Sequence, residues 1–520
     1  QSMRSNSTFC SFAGAVMFLP LFPTEAKSST SLSEADFRNI DAYIERELKE
    51  AKIPGASLVI VEGNQIVHER GFGIAGPEGQ PVTAETNFFL GSVSKSFTAL
   101  AIMQLVEAGR IELNAPVQKY LPWFRVADPE SSSQIKVRHL LNHTSGFSTY
   151  AGRTHFTDSD MSDEAIQRRV RDLRKVKLTA PVGKRFRYSN ANYSILGAII
   201  ESVSGQRYED YIQEHIFDPL NMTNSYTSRE QVKQHNLATG YRYWFGQPIF
   251  ATSIPYPRGD IAAAYLISCA RDMGQYLLAL MNGGTLGDTR ILSESGVSKL
   301  HTPEKKNLYY AMGWHVGQID NTRKLGHTGI TPSSCAGIAI FPEYQRGFAL
   351  FINAQNYLSG PDVLALVTMI EFNVLGKMAF PVSRAPKVHT ELAMLCMLLL
   401  GQAIGFALSC RQIYRWRKYP NTRSRKKQWV ILTRGGLSFI VDIGIAVGML
   451  WWIPLSRDIP LSGLILYAPD AGWLLLLNGT LAIIAFIVDL CFTAFLIQQS
   501  GHIIAGTGGA LCRVSPARTT

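Results

Sequence analysis

In the stretch Phe89-Leu90-Gly91-Ser92-Val93-Ser94-Lys95-Ser96-Phe97, a hydroxyl and an amine stand three residues apart where an apolar run gives way to a helical pattern. If Ser92 opens that helix, the two side chains share one face about 5 Å apart, and the amine reaches the hydroxyl. A serine oxygen attacks an acyl carbon only once a base removes its proton. A lysine serves as that base only if burial or nearby cations lower its pKa. Phe89, Leu90, Phe97 and Leu100 offer an apolar setting for such desolvation. Alone, the pair reads better as a serine helix cap beside a solvated lysine, because serine favours that cap.

Two later stretches change the weighing. "RYSNANY" places Tyr188 and Asn190 just before an apolar helix, and "LGHTGITP" places His327, Thr328 and Gly329 immediately before a late hairpin. In order and spacing, SxxK, YxN and an HTG triplet resemble the penicillin-recognising serine hydrolases, and the YxN form is similar to the class C β-lactamase type. "IKVRHLLNHTSGF", "AAAYLISCARDMGQYL" and "YAMGWHV" look like the same family, and the resemblance runs from about Asp36 to Ala354. It implies that Ser92 is the acylated nucleophile, Lys95 its base and Tyr188 the proton carrier to the leaving group. Asn190 would bind the substrate amide, and the backbone N–H groups of Ser92 and Ile330 would form the oxyanion hole. Such acyl transfer needs an activated oxygen, a proton relay and fixed dipoles, and no metal or cofactor. His327 stands where β-lactamases carry lysine, so a permanent cation gives way to a group half-neutral near pH 6.5. The resemblance associates that exchange with peptidases, amidases and esterases. His143 in "LNHTSGF" reads as a structural loop residue and stays outside the site.

Elements at both ends of this region must position the motifs. "SEADFRNIDAYIERELKEAKIPG" spaces Phe37, Ile40, Ile44 and Leu48 at helical intervals behind Ser33, an N-cap candidate. "ASLVIVEGNQIVHERGFG" reads as a hairpin turning at Glu62-Gly63-Asn64, and "CAGIAIFPEYQRGFALFINA" as a second, turning near Pro342 to Arg346. Mostly helical pattern lies between them. The expected fold is α+β: an antiparallel sheet built from both ends of the domain with a helical subdomain, as in β-lactamases and transpeptidases, followed by an all-α three-helix transmembrane domain. Cys269 and Cys335 are expected to be two separate buried thiols, although an oxidising compartment would allow them to pair.

The chain has 520 residues, 46% of them hydrophobic, and the apolar excess is concentrated towards the C-terminus. Arg4 followed by the short run Phe9 to Phe22 reads as a secretory signal, with Thr24 and Ala26 before a cleavage point at Lys27. The expected organisation is a signal peptide at 1–26, an extracytoplasmic hydrolase domain at 27–383, a membrane domain at 384–500 and a cytoplasmic tail at 501–520. Within the membrane domain, Glu391 to Cys410, Gly436 to Ile453 and Gly472 to Ile497 approach the length that crosses a bilayer. The loop "RQIYRWRKYPNTRSRKKQW" is dense in Arg and Lys and belongs in the cytoplasm by the positive-inside rule, which puts everything upstream of Glu391 outside. Trp451, Trp452 and Trp473 near span ends suit interface anchors. Asp442 and Asp489 fall inside spans, where a carboxylate holds a polar contact between helices or sits hydrogen-bonded and neutral. Anionic lipid headgroups account for the basic loop, which discounts a nucleic-acid partner despite a net charge of +11.

A class C-like domain followed by three spans resembles the membrane-bound peptidases that mature nonribosomal peptide products, the group of the colibactin-maturing prodrug peptidase. "AAAYLISCARDM" and the "SSC" after "HTGITP" match that group. The resemblance implies cleavage of an N-acyl-D-amino acid cap from a peptide or small-molecule substrate, on the outer face of a bacterial plasma membrane beside an exporter or other membrane partner. Thr331 and Asp260 are candidates for the substrate pocket. The alternatives are a D-alanyl carboxypeptidase, an esterase or a weak β-lactamase of the same fold, and a non-catalytic membrane sensor or immunity protein.

Overall fold

The computed structural model describes residues 31–508 except 233–235, 252, 306–308, 320, 359–362, 378–386 and 420–424. The expected signal peptide at 1–26, the boundary at 383/384 and residues 509–520 of the expected tail lie outside the described residues. The chain divides into two compact units, one formed by Gln1–Pro386 with Arg457–Asp470, the other by Lys387–Ser456 with Ala471–Thr520. The segment Arg457–Asp470, which the sequence reading placed in the membrane domain, thus joins the first unit.

The first unit is built on a seven-stranded antiparallel sheet. Its strands are β1 (Gly55–Glu62), β2 (Gln65–Gly73), β3 (Tyr310–Ala311), β4 (Trp314–Ile319), β5 (Thr322–Ile330), β6 (Cys335–Phe341) and β7 (Arg346–Ile352). They lie in the order β2-β1-β7-β6-β5-β4-β3, so the chain's early hairpin docks on its late strands, with Ala56 opposite Ile352 and Glu62 opposite Arg346. The chain between Gly73 and Tyr310 is inserted, and the regular structure among its described residues is chiefly helical, with a few short strand pairs. The turn between β1 and β2 has Gly63 at φ +59, a conformation that favours glycine.

Strand alternation assigns the two faces of the sheet. Leu58, Ile60, Leu350 and Ile352 point towards helix α1 (Glu34–Ala51), packing with Phe37, Ile40, Ile44 and Leu48. Val59, Val61, Ala349 and Phe351 point into the larger core with helix α2 (Ser94–Glu107) and the inserted helices. Ser33 caps α1 in a reciprocal box: its hydroxyl accepts from the Asp36 amide, and the Asp36 carboxylate accepts from the Ser33 amide at 2.8 Å. Cys269 and Cys335 are both buried and free.

One buried cation ties the inserted helices together. Arg258, 2% exposed, donates through Nε and Nη2 to both Glu209 oxygens at 2.5 and 2.8 Å, and through Nη2 to Glu201 at 2.9 Å. Glu201 lies on helix α3 (Asn190–Ser204), while Arg258 leads into the short helix α4 (Ile261–Ala264). Removing one member of such a buried group strands charges without solvent or partner. Arg258→Leu is expected to destabilise the first unit by about 3–5 kcal/mol in urea denaturation. A loss under about 1 kcal/mol would show that the ion group does not hold these helices.

The second unit contains three helices long and apolar enough to cross a membrane, Thr390–Lys418, Trp429–Ser456 and Pro469–Gln498. Each is longer than its expected counterpart. Large apolar side chains such as Leu400, Ile440, Trp451 and Trp452 stand exposed on them, a pattern that suits a lipid solvent rather than water. Asn478, fully buried, bridges two of these helices by donating to the Leu395 carbonyl at 3.2 Å and accepting from Gln402 on its own carbonyl at 3.3 Å.

Candidate active site

Ser92 does not open the α-helix. It sits inside a single 3-10 turn, Gly91–Val93, and α2 begins at Ser94. The turn exists because Gly91 adopts φ +53 while lying against the strand edge: a Cβ there would fall 2.4 Å from the Ile330 nitrogen. Gly329 mirrors it, since a Cβ on that residue would lie 1.9 Å from the Leu90 carbonyl oxygen and 3.0 Å from the Ser92 nitrogen. Two glycines thus let the end of β5 close on the Ser92 turn, bringing the amides of Ser92 and Ile330 side by side.

Lys95 lies one turn further on, fully buried, with three contacts from its Nζ: Ser92 Oγ at 3.0 Å, Asn190 Oδ1 at 2.9 Å and the Ala263 carbonyl at 2.7 Å. Burial pushes the amine's pKa well below the usual lysine range; the Asp260 charge opposes this and Arg153 adds to it. Carbonyl oxygens can only accept. A neutral amine therefore spends its two N–H groups on Asn190 and Ala263, and its lone pair is left facing the Ser92 hydroxyl. Both acceptors are held by inserted helices, Asn190 at the start of α3 and Ala263 in α4.

The Tyr188 ring lies beside this amine, with Lys95 Nζ 4.9 Å from its centroid. Its hydroxyl is buried and closes no full hydrogen bond among the described residues. Burial raises the phenol's pKa, against which the Ser92 hydroxyl and the Arg153 charge act. His143 supports the segment from behind: its ring packs 4.4 Å from Tyr188, and its Nδ1 accepts from the Ser189 amide at 3.2 Å and meets Asn192 Nδ2 at 2.8 Å. Its place is structural.

His327 is 4% exposed. Its Nδ1 donates to the Thr328 carbonyl at 2.7 Å, which leaves Nε2 to accept from the Tyr310 hydroxyl at 3.3 Å. Burial first, then His315 and Lys95, hold the imidazole well below its ordinary pKa. The half-neutral group expected from sequence is therefore a neutral one, because the triplet lies inside the sheet edge rather than on a wet rim. Thr328 and Gly329 continue that edge, with Thr328 half-buried.

The structure thus brings Ser92, Lys95, Tyr188, Asn190, His327, Gly329 and Ile330 into one neighbourhood. Of the two pocket candidates, Thr331 is occupied locally, its hydroxyl meeting Ser334 Oγ at 2.7 Å. Asp260 is fully buried; Oδ1 accepts from Ser194 at 2.7 Å and Arg169 at 3.2 Å, while Oδ2 has no hydrogen-bond partner among the described residues. Sequence reasoning missed Tyr310 and His315, although both lie in "YAMGWHV". The His315 ring lies 4.8 Å from that of His327. It also missed Arg153, for which no motif gave a signal.

The beta-lactamase family profile matches residues 40–367. The chain belongs to the beta-lactamase family. Among its relatives, a putative penicillin-binding protein PbpX of Bacillus subtilis (strain 168) is 31% identical over 302 residues, which cover 56% of this chain and 69% of the relative. Protein flp of Staphylococcus aureus (strain MW2) is 27% identical over 326 residues, covering 61% of this chain and 63% of flp. This beta-lactamase-family chain therefore spans under two thirds of the length of that relative. Among solved structures, the octameric penicillin-binding protein homologue from Pyrococcus abyssi is 30% identical, with a TM-score of 0.57, over 68% of this chain and 80% of that one. The fold is the α+β fold of β-lactamases and transpeptidases, with three apolar helices near its C-terminus.

Proposed function

We propose that this chain is a membrane-anchored extracytoplasmic serine hydrolase that cleaves N-acyl-D-amino acid caps from nonribosomal peptide products by way of an acyl-enzyme. The observation that carries the chemistry is the Lys95 amine, buried, kept towards neutrality and aimed at Ser92 Oγ by two acceptor-only partners. Lys95 takes the Ser92 proton as Oγ bonds to the substrate carbonyl carbon. The developing oxyanion sits between the Ser92 and Ile330 amides. Asn190, its Oδ1 engaged by Lys95, offers Nδ2 to a substrate carbonyl. Tyr188 passes a proton to the leaving amine as the C–N bond breaks, and water then hydrolyses the ester.

The neutral His327 supports a substrate without the carboxylate that a lysine at this position would grip. The three apolar helices and the basic loop between the first two support a hydrolase unit held on the outer face of the bacterial plasma membrane. The names of the relatives favour a second reading, a penicillin-binding D-alanyl carboxypeptidase.

The test is turnover by the full membrane-inserted chain of N-acyl-D-amino acid amides, D-Ala-D-Ala peptides and a chromogenic cephalosporin, each alongside Ser92→Ala. Preference for the D-amides, lost in Ser92→Ala, is the expected result. Preference for D-Ala-D-Ala peptides would replace this reading with the second.

A further inference from the structure

Neither His327 nor Lys95 faces a substrate with a permanent charge, since burial holds both towards neutrality. A different element brings a cation to the site. The 3-10 turn Ala151–Arg153 is pressed against the Tyr188–Asn190 segment: a Cβ on Gly152 would lie 2.5 Å from the Asn190 nitrogen and 2.6 Å from Ser189 Oγ. Thr149 fastens the same approach by donating to the Tyr188 carbonyl at 2.7 Å. Arg153, half-buried, follows directly. Its Nη1 reaches the Tyr357 hydroxyl and the Asp458 carbonyl, each at 3.4 Å, and its guanidinium carbon lies 5.4 Å from the centre of the Tyr357 ring.

Those contacts fix the plane of the guanidinium while using one of its nitrogens. Among the described residues, Nε and Nη2 have no protein partner, and a guanidinium presents its remaining donors as a fork suited to a carboxylate or amide oxygen. The neighbouring cation is not equivalent, because Arg187 is paired with the Asp458 carboxylate at 3.6 Å. After burial, Arg153 is among the influences that lower the Lys95 amine, and it also acts on the Tyr188 phenol, so its charge is felt at both proton-handling groups.

We infer that Arg153 is the specificity-determining cation of this site, gripping a side-chain carboxylate, and less tightly a carboxamide, on the residue that acylates Ser92. The inference rests on the acyl-enzyme reading above. It assigns to Arg153 the charge that the sheet edge lacks at His327, and it makes the grip depend on Tyr357 and on the backbone at Asp458.

The experiment measures kcat/KM of the full chain on N-acetyl-D-aspartyl, D-asparaginyl and D-alanyl p-nitroanilides, with p-nitrophenyl hydrogen succinate and p-nitrophenyl butyrate as a second pair. The wild type is expected to prefer D-Asp over D-Ala, and succinate over butyrate, by about 10-fold or more, the scale of a hydrogen bond to a charged group. Arg153→Met is expected to bring both ratios close to one with the melting temperature unchanged; any effect of the lost charge on Lys95 and Tyr188 is common to both members of each pair and cancels in the ratio. Arg153→Lys keeps part of the D-Asp preference, and Tyr357→Phe weakens it. Ratios unchanged in Arg153→Met would overturn the inference. If no anilide is cleaved by the wild type, the D-amide reading falls, and the ester pair alone decides on Arg153 by the same criterion.

Discussion

Lys95→Met is expected to lower turnover by about 10³-fold or more, with little change in stability. Methionine fills the buried space without an amine to desolvate, which offsets the loss of hydrogen bonds to Asn190 Oδ1 and the Ala263 carbonyl. Ser92→Ala should form no adduct with a fluorophosphonate in intact-mass spectrometry. The pH profile provides a separate check. Burial lowers the Lys95 pKa from its ordinary 10.5, and in the proposed mechanism the neutral amine is the base, so the rate should rise with pH through a value well below that range and then stay flat. An ascending limb centred near the ordinary lysine pKa would remove Lys95 from the role of base.

Gly329→Ala should lower kcat by about 10²–10³-fold, the effect of losing one oxyanion donor. The added methyl group would stand 1.9 Å from the Leu90 carbonyl, so the end of β5 must retreat and carry the Ile330 amide away from that of Ser92. Gly63→Ala is the contrast. Its backbone is the strained one, at φ +59, but there is open space around the new carbon, so it should cost about 1 kcal/mol in stability and leave turnover intact. Both variants are measured by steady-state kinetics and urea denaturation. Near-normal turnover in a folded Gly329→Ala would mean that the oxyanion is held elsewhere.

These contrasts show which parts of the molecule local sequence records. The Ser33 cap, the apolar spacing of α1 and the turns at Gly63 and Pro342 to Gln345 are written in adjacent residues, and the structure forms each of them. The three motifs were legible because each holds its residues within a few positions. The partners that give them chemical character were not. Asn190 meets Lys95 across 95 positions, and Ala263 meets it across 168. The burial of His327 depends on Tyr310 and His315 on neighbouring strands, which no local period announces. No local pattern marks Arg153, whose contacts to Tyr357 and Asp458 lie 204 and 305 positions away.

Because Arg457–Asp470 belongs to the first unit, that unit cannot be complete until late in synthesis. Within the first unit its Tyr467 packs on Phe156 at 4.7 Å and its carbonyl accepts from the Tyr357 amide at 2.7 Å, while Asp470 accepts from Asn356 at 3.0 Å. A ribosome reaches these residues only after the first two apolar helices have been synthesised. The three sequence motifs are complete in the nascent chain long before the surface around Tyr357 is. The first unit is therefore complete only once Arg457–Asp470 has been synthesised, and a chain ended at Pro386 carries every motif residue yet leaves Arg153 without its Asp458 support.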